Sequence, residues 1–471
     1  MKAQALQTQT KHLAVKLLAF FGLLLSITST ASADSASADS LRYLARGDQA
    51  LMQMFELING AKTSIDLTYY IVDPCAVSTN ILFKSLQEKS KSGVQVRIVI
   101  DSLTHRSQLQ QQFHQFLNES GIELRYFNKG ITPMVNYRTH AKLMIADGKR
   151  YITGGRNLAD DYFGLQKQNF IDRDVYVDGP SATEVQKKFN LFWADPKTAA
   201  SKDFLDQHAS DYEKICPKFD LGKMEKLEAA IAKESQSTLA RMPVAQCSDL
   251  KFTFDNPEFW HSGATLPQDP TMTTNQEISD LKLEKKETTT AIFQFLNDDV
   301  KHLVFENWSY IPTRSIHWIL RNLRTQKIPI LVVTNRTTDV GGPVDVLNTH
   351  YSSRDHKGSQ QVLGLSKLGS MNHSWSQTPA NAQWMIHSKV FIANLNHVAV
   401  TSFNLDPRSV HTNVETALFV RSCPKFAEIV LNETGQLVDN YEQDKLCKAC
   451  QGSPSGSFIS ILKAWIGHEL M

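Results

Sequence analysis

Several classes of protein are excluded by what the chain lacks. Charge of one sign is not in excess: 50 Lys and Arg face 48 Asp and Glu, a formal charge of +2. Such a balance offers no global attraction to nucleic acid, which needs clustered cations. Beyond the first 33 residues no apolar run reaches the roughly 20 residues that span a bilayer. Cysteine is sparse, with six in 471 residues. Cys447-x-x-Cys450 has no second ligand pair at usable spacing, which argues against a metal site. No metal and no cofactor are expected. The even number of cysteines fits disulfides in an oxidising compartment, with the connectivity open.

The start of the chain has the pattern of an export signal. Lys2, Lys11 and Lys16 precede the apolar run Leu17 to Ile27, and Ala31-Ser32-Ala33 supplies a small-residue cleavage site. Losing residues 1–33 removes those three lysines and no acid, so the formal charge goes from +2 to −1. A secreted or periplasmic mature chain is expected. No cysteine near the cleavage site offers a lipid attachment point.

What the chain does have is one unit used twice. His140-Ala-Lys142-Leu-Met-Ile-Ala-Asp147 answers to His387-Ser-Lys389-Val-Phe-Ile-Ala-Asn394, and Gly154-Gly-Arg-Asn157 to Thr401-Ser-Phe-Asn404. The two histidines, the two lysines and the two asparagines each lie 247 residues apart. Each copy has a similar lead-in. Residues 64–71 and 94–100 read as strands around a helix at 77–90; residues 303–310 and 328–334 read as strands around a helix at 315–324. Alternating strands and helices predict parallel sheet with helical cover, hence two α/β halves at 41–200 and 285–440. Residues 201–284 read as a connector or insertion with a short helix near 224–235. Residues 340–381, rich in Gly, Ser and His, read as a long polar loop before the second motif, either a lid or a surface excursion. The tail 441–471 carries an apolar helical face, suited to packing on the body or to a membrane surface.

The residue types suit phosphodiester chemistry. Breaking a phosphodiester needs a nucleophile, an acid for the leaving alkoxide and stabilisation of charge. Two imidazoles, one on each side of phosphorus, fill the first two roles near neutral pH. Lys142 and Lys389 neutralise the non-bridging oxygens and Asn157 and Asn404 donate hydrogen bonds, so no divalent metal is demanded. A carboxylate on the far ring nitrogen fixes each tautomer. Asp172 and Glu415 are the expected orienters, with Asp174 competing in the first half. Asp147 has a counterpart in Asn394, so its charge is not required twice, and a turn role competes with a supporting role at the site. Glu306, Trp308 and Arg408 either reach the seam or serve structure alone.

These residues resemble the paired motif of the phospholipase D superfamily: His-x-Lys, four residues, Asp, six residues, Gly-Gly/Ser-x-Asn. The first copy matches throughout; the second departs at Asn394. The segments Gly-Gly-Arg-Asn-Leu-Ala-Asp-Asp-Tyr-Phe, Arg-Asp-Val-Tyr-Val-Asp-Gly-Pro and Ser-Phe-Asn-Leu-Asp-Pro-Arg-Ser are similar to bacterial cardiolipin synthases, particularly the C type. The resemblance implies two similar α/β/α sandwich halves related by a pseudo-twofold axis, with the active site at their seam. It also implies a phosphohistidine intermediate, with His140 as nucleophile and His387 as acid and then base. The implied partners are a phospholipid at a membrane surface and water or an alcohol as acceptor. One chain carries the whole site, so activity as a monomer is expected. An exported endonuclease is the alternative, against which the near-neutral charge argues. A catalytically dead binding module is a third reading, against which the intact His, Lys and Asn pairs argue.

Overall fold

The computed structural model describes residues 38–102, 117, 119–128, 137–200, 220–257, 286–365 and 375–439. The export pattern, Cys216, Cys447, Cys450 and the tail lie outside the described residues. Among the described residues no helix is long and apolar enough to cross a membrane.

The first half runs β1 (Asp39–Leu44), α1 (Gly47–Gly60), β2 (Ser64–Tyr69), α2 (Val77–Lys91), β3 (Gln95–Asp101) and β4 (Glu123–Phe127). It continues with β5 (Leu143–Ala146), β6 (Arg150–Gly154), β7 (Gln168–Ile171), β8 (Asp174–Asp178), α3 (Ala182–Ala194) and β9 (Thr198–Ala200). Between the halves come α4 (Leu221–Arg241), β10 (Val244–Cys247) and β11 (Asp249–Phe254). The second half runs α5 (Glu287–Asn297), β12 (Leu303–Asn307), α6 (Arg314–Thr325), β13 (Ile330–Asn335), α7 (Gly342–Asp355) and β14 (Gln360–Leu365). After these follow β15 (Gln383–Ile386), β16 (Lys389–Ala393), β17 (His397–Thr401), α8 (Pro407–His411), β18 (Thr416–Arg421) and α9 (Pro424–Asp439).

Two sheets repeat one topology. The first has the order β10-β1-β8-β6-β5-β2-β3-β4-β9 and the second β11-β18-β17-β16-β12-β13-β14. The run β8-β6-β5-β2-β3-β4 corresponds strand for strand to β18-β17-β16-β12-β13-β14. In both runs the β2–β3–β4 and β12–β13–β14 pairs are parallel and the remaining pairs antiparallel.

The period-2 alternation of side chains sorts the core into layers. Leu143 and Ile145 of β5 and Val390 and Ile392 of β16 share a central cluster between the sheets, together with Phe189 of α3 and Phe426 of α9. Met144 and Ala146 face outward against α1, α2 and α4, and Phe391 and Ala393 face outward against α5 and α6. Each sheet therefore has helices on both faces, with α3 and α9 in the shared middle layer.

Two segments differ from the sequence expectation. The stretch between the halves does more than connect: β10 pairs with β1, β11 pairs with β18, and α4 packs Leu227, Ile231 and Leu239 into the first-half core. Its helix is also longer than expected, because exposed polar residues fill its outer face. Within 340–381, the expected polar loop is instead α7 and β14 over much of its length. Val344, Leu347, Val362 and Leu365 anchor them, and a polar outer surface masked the periodicity. Cys247 is bonded to Cys423, linking the last strand of the first sheet to the start of α9. Cys75 is also disulfide-bonded.

Candidate active site at the seam

His140 and Lys142 lie just before β5 rather than within it. The backbone N–H of His140 donates to Val414 O at 2.8 Å, tying this end of the first motif to the second half. Reciprocally, the N–H of His387 donates to Ile171 O at 2.8 Å, at the end of the parallel pair β15–β7. Each histidine is thus hung from the backbone of the half that did not contribute it.

The orienting carboxylates cross in the same way. His140 Nδ1 lies 2.9 Å from Ser402 O and 3.1 Å from Glu415 Oε2, both from the second half. His387 Nδ1 lies 2.5 Å from Asp172 Oδ2, from the first half. Asp174, the competing orienter, instead binds Arg156 Nε through Oδ2 at 2.7 Å. The two carboxylates are set differently. Asp172 is backed by Gly155, where an added Cβ would stand 2.2 Å from Oδ1, so only glycine fits beside it. At the matching position of the second half stands Ser402, whose hydroxyl donates to Glu415 Oε2. Ser409 Oγ, at 2.7 Å, and Asn413 Nδ2, at 3.1 Å, occupy the other Glu415 oxygen.

The lysines repeat one conformation. Lys142 Nζ donates to His140 O at 2.7 Å, and Lys389 Nζ donates to His387 O while lying 2.8 Å from His387 Nδ1. Asn157 Nδ2 donates to Tyr162 OH at 2.7 Å, and that hydroxyl lies 3.4 Å from His387 Nε2. Asn404 is fixed through its backbone N–H to Ser409 Oγ at 3.1 Å, and its side-chain oxygen has no hydrogen-bond partner among the described residues. Aromatic rings wall the imidazoles. Tyr70 stands 5.1 Å from His140, and Tyr162 and Phe170 stand 5.1 Å from His387, with Trp308 at 6.4 Å.

Burial sets the charges. His140 and His387 are 7% and 9% exposed and the two lysines 1% each. Loss of water, then the charge of Lys142, pull His140 down to about 4, and Lys389 adds to this from across the seam. Burial and Lys389 likewise hold His387 well below its usual value, with contributions from Lys142 and His140. The four groups therefore share one electrostatic environment. Burial lowers both lysines: Lys142, with the charge of Lys389 adding to the fall, well below its ordinary value, and Lys389 to about 8, with Asp172 and Glu415 opposing. Burial pushes Glu415 up, but His140, Lys142 and its hydrogen bonds outweigh this and hold it at about 2. Burial raises Asp172 against the pull of Lys389.

Of the residues expected at the site, His140, Lys142, Asn157, His387, Lys389, Asn404, Asp172 and Glu415 are joined by these contacts. Asp147 is not among them. It lies at the opposite end of β5, where its Oδ1 accepts from Lys62 N (2.9 Å), Thr63 N (2.7 Å) and Ser64 N (3.2 Å). Asp147 and Gly148 both have positive φ, 56° and 60°, in a turn closed by Lys149 N to Ala146 O. Asn394 caps Lys301 N at 2.7 Å in the same manner. The supporting role expected for Asp147 is therefore corrected: it fixes a turn, which needs an acceptor rather than a charge. Glu306 serves structure, held below its usual value, against burial, by a buried pair with Arg173. Trp308 does reach the site. Tyr70, Tyr162, Ser402 and Ser409 were not anticipated. The one available signal was Ser402 standing at the repeat position of Gly155.

A profile of the family described as "Cardiolipin synthase, PLD-like domain" matches residues 54–193 and 299–437, one match over each half. The chain belongs to the phospholipase D superfamily. Among relatives of this superfamily member, Cardiolipin synthase 1 of Bacillus anthracis is 33% identical over 165 residues, 34% of this chain and 32% of that one. The match thus spans about a third of the Bacillus protein's length. Cardiolipin synthase C of Escherichia coli (strain K12) is 24% identical over 395 residues, 79% of either chain. The crystal structure of phosphatidylserine synthase of Haemophilus influenzae Rd KW20 superposes with a TM-score of 0.61 at 13% identity, covering 92% of this chain and 95% of that one. At that identity it speaks to the phospholipase D fold alone.

Proposed function

We propose that this chain is an exported phosphatidyltransferase that moves the phosphatidyl group of a phospholipid to an alcohol, and to water when no alcohol is at hand. The observation that carries the reading is the crossed seating of the two imidazoles. With two acceptors facing Nδ1 of His140, the ring proton resides there and Nε2 keeps its lone pair for attack.

In the first step His140 Nε2 bonds to phosphorus, the bond from phosphorus to the head-group oxygen breaks, and His387 gives that oxygen a proton. In the second step an incoming alcohol or water surrenders its proton to His387. Its oxygen bonds to phosphorus, and the N–P bond breaks. Lys142 and Lys389 hold the non-bridging oxygens, and Asn157 and Asn404 donate to them. A phosphodiester anion between the lysines also cancels the repulsion that keeps His387 unprotonated, so substrate arrival loads the acid. The low exposure of His140 and His387 and the cardiolipin synthases among the relatives support an alcohol as the natural acceptor. The pattern of residues 1–33 and the Cys247–Cys423 disulfide support export. Both imidazoles come from one chain, which supports action as a monomer on phospholipid at a membrane surface.

The test is mass analysis of the lipid products from mixed phospholipids, with and without an added primary alcohol. A phosphatidyl-alcohol that appears with the native chain and vanishes in H140A and in H387A is expected. No change in any lipid, together with salt-sensitive cleavage of DNA, would overturn the reading in favour of a nuclease.

A further inference from the structure

A site built from two copies of one motif poses a problem of direction. If its ends were alike, a phosphodiester would bind either way round and either histidine would attack. The ends differ in charge. Asp161 lies 247 residues before Arg408, so the repeat brings an acidic and a basic residue to one position of the two halves, although burial pushes the Asp161 carboxyl up to about 7. The isolated bridges Val72–Leu158 and Tyr310–Leu405 align the strand ends, making Tyr70 the counterpart of Trp308.

Near His140 the surroundings are cationic. Tyr70 faces that imidazole, and Arg408 is the charge that acts most on the Tyr70 hydroxyl, ahead of the opposing Asp101 and of Arg138. Near His387 they are anionic. Trp308 Nε1 donates to Asp339 Oδ1 at 2.8 Å, and Asp339 acts on His387 and on Lys389. Asp161 and Asp339 both act on the Tyr162 hydroxyl, which itself lies 3.4 Å from His387 Nε2. Asp161 sits in the short 3-10 turn Asp160–Phe163, and its Oδ1 is buried without a hydrogen-bond partner among the described residues. A buried carboxylate oxygen left unpaired carries an uncompensated loss of water, which a donor arriving with substrate removes.

We propose that Asp161 and Asp339 form the alcohol subsite beside His387, accepting hydrogen bonds from a second donor group, a further hydroxyl or an ammonium, on the alcohol that leaves or enters. This rests on the transferase reading above. Arg408, at the other end, repels such a donor and faces the retained phosphate ester. Together the unlike ends set the direction in which substrate lies, so that His140 attacks and His387 serves the alcohol. Asp161 and Asp339 are specificity-determining residues: they touch the part of the alcohol remote from the reacting oxygen.

The experiment is an internal competition. Full-length protein is given phosphatidylcholine micelles with equimolar glycerol, ethanolamine and propan-1-ol, and the three phosphatidyl products are weighed against each other by mass spectrometry. The ratio is independent of how much variant protein is folded. In D161N, and more so in D161N/D339N, the ratio of the glycerol or ethanolamine product to the propanol product is expected to fall about 10-fold or more, the worth of a hydrogen bond to a charged group. D339N, changed at an exposed position, gives the second reading if D161N folds poorly. A fall for ethanolamine alone identifies the ammonium, and for glycerol alone the second hydroxyl; either supports the subsite. Ratios within about twofold of native in all three variants overturn it while leaving the transferase reading standing. Absence of all three phosphatidyl-alcohol products from the native protein overturns the transferase reading, and the subsite with it.

Discussion

At the scale of single residues, the site works by withholding protons. His140, pulled to about 4, is neutral over most of the pH range, and Lys389, at about 8, is charged below it. In the proposed mechanism, attack needs the neutral imidazole and the charged lysine. Activity as kcat/KM is therefore expected to fall below about 4 as His140 gains a proton and to fall more steeply above about 8 as Lys389 loses one. Glu415 is the carboxylate that most raises His140. In E415Q the acid limb should move to lower pH while kcat drops about 100-fold or more, because the imidazolium loses its partner. A pH profile separates this positioning role from a structural one, which would leave the limb unmoved.

At the scale of elements, the hairpin β5–β6 illustrates how one motif residue serves geometry. Asp147 is held at about 2 by backbone donors from residues 62–64, which outweigh its partial burial. Its folded value lies below the usual 3.8, so its stabilisation is present above that pH and is lost as pH falls toward 2. D147N keeps the Oδ1 acceptor that Asn394 uses and is expected to cost about 1 kcal/mol; D147A is expected to cost about 2 kcal/mol. Denaturant unfolding measures both, and kcat/KM should stay near native in D147N. Much of this was legible beforehand. The equal spacing of His, Lys and Asn marked the site, and apolar strands such as 94–100 marked the sheets. The helix α7 was not legible, since its exposed polar face conceals the few buried anchors. Nor was the crossing of Asp172 and Glu415, since local pattern does not reveal which half a strand-borne carboxylate faces.

At the scale of the whole molecule, the halves are bound by more than contact. The Cys247–Cys423 bond closes a loop of 176 residues in sequence separation. Replacing both cysteines with serine is expected to lower unfolding free energy by about 2–4 kcal/mol, read as a fall in melting temperature. If one chain is sufficient, mixing inactive H140A with inactive H387A should restore nothing. Recovered activity would mean that halves exchange between chains.

Duplication usually leaves a spare, free to drift while its twin carries on. Here neither copy can become one. Because Glu415 seats His140 and Asp172 seats His387, a lesion in either half disarms the imidazole of the other. The two units are thus bound to a common fate under mutation, and a lineage that shed one copy would need an identical partner chain to return the missing carboxylate.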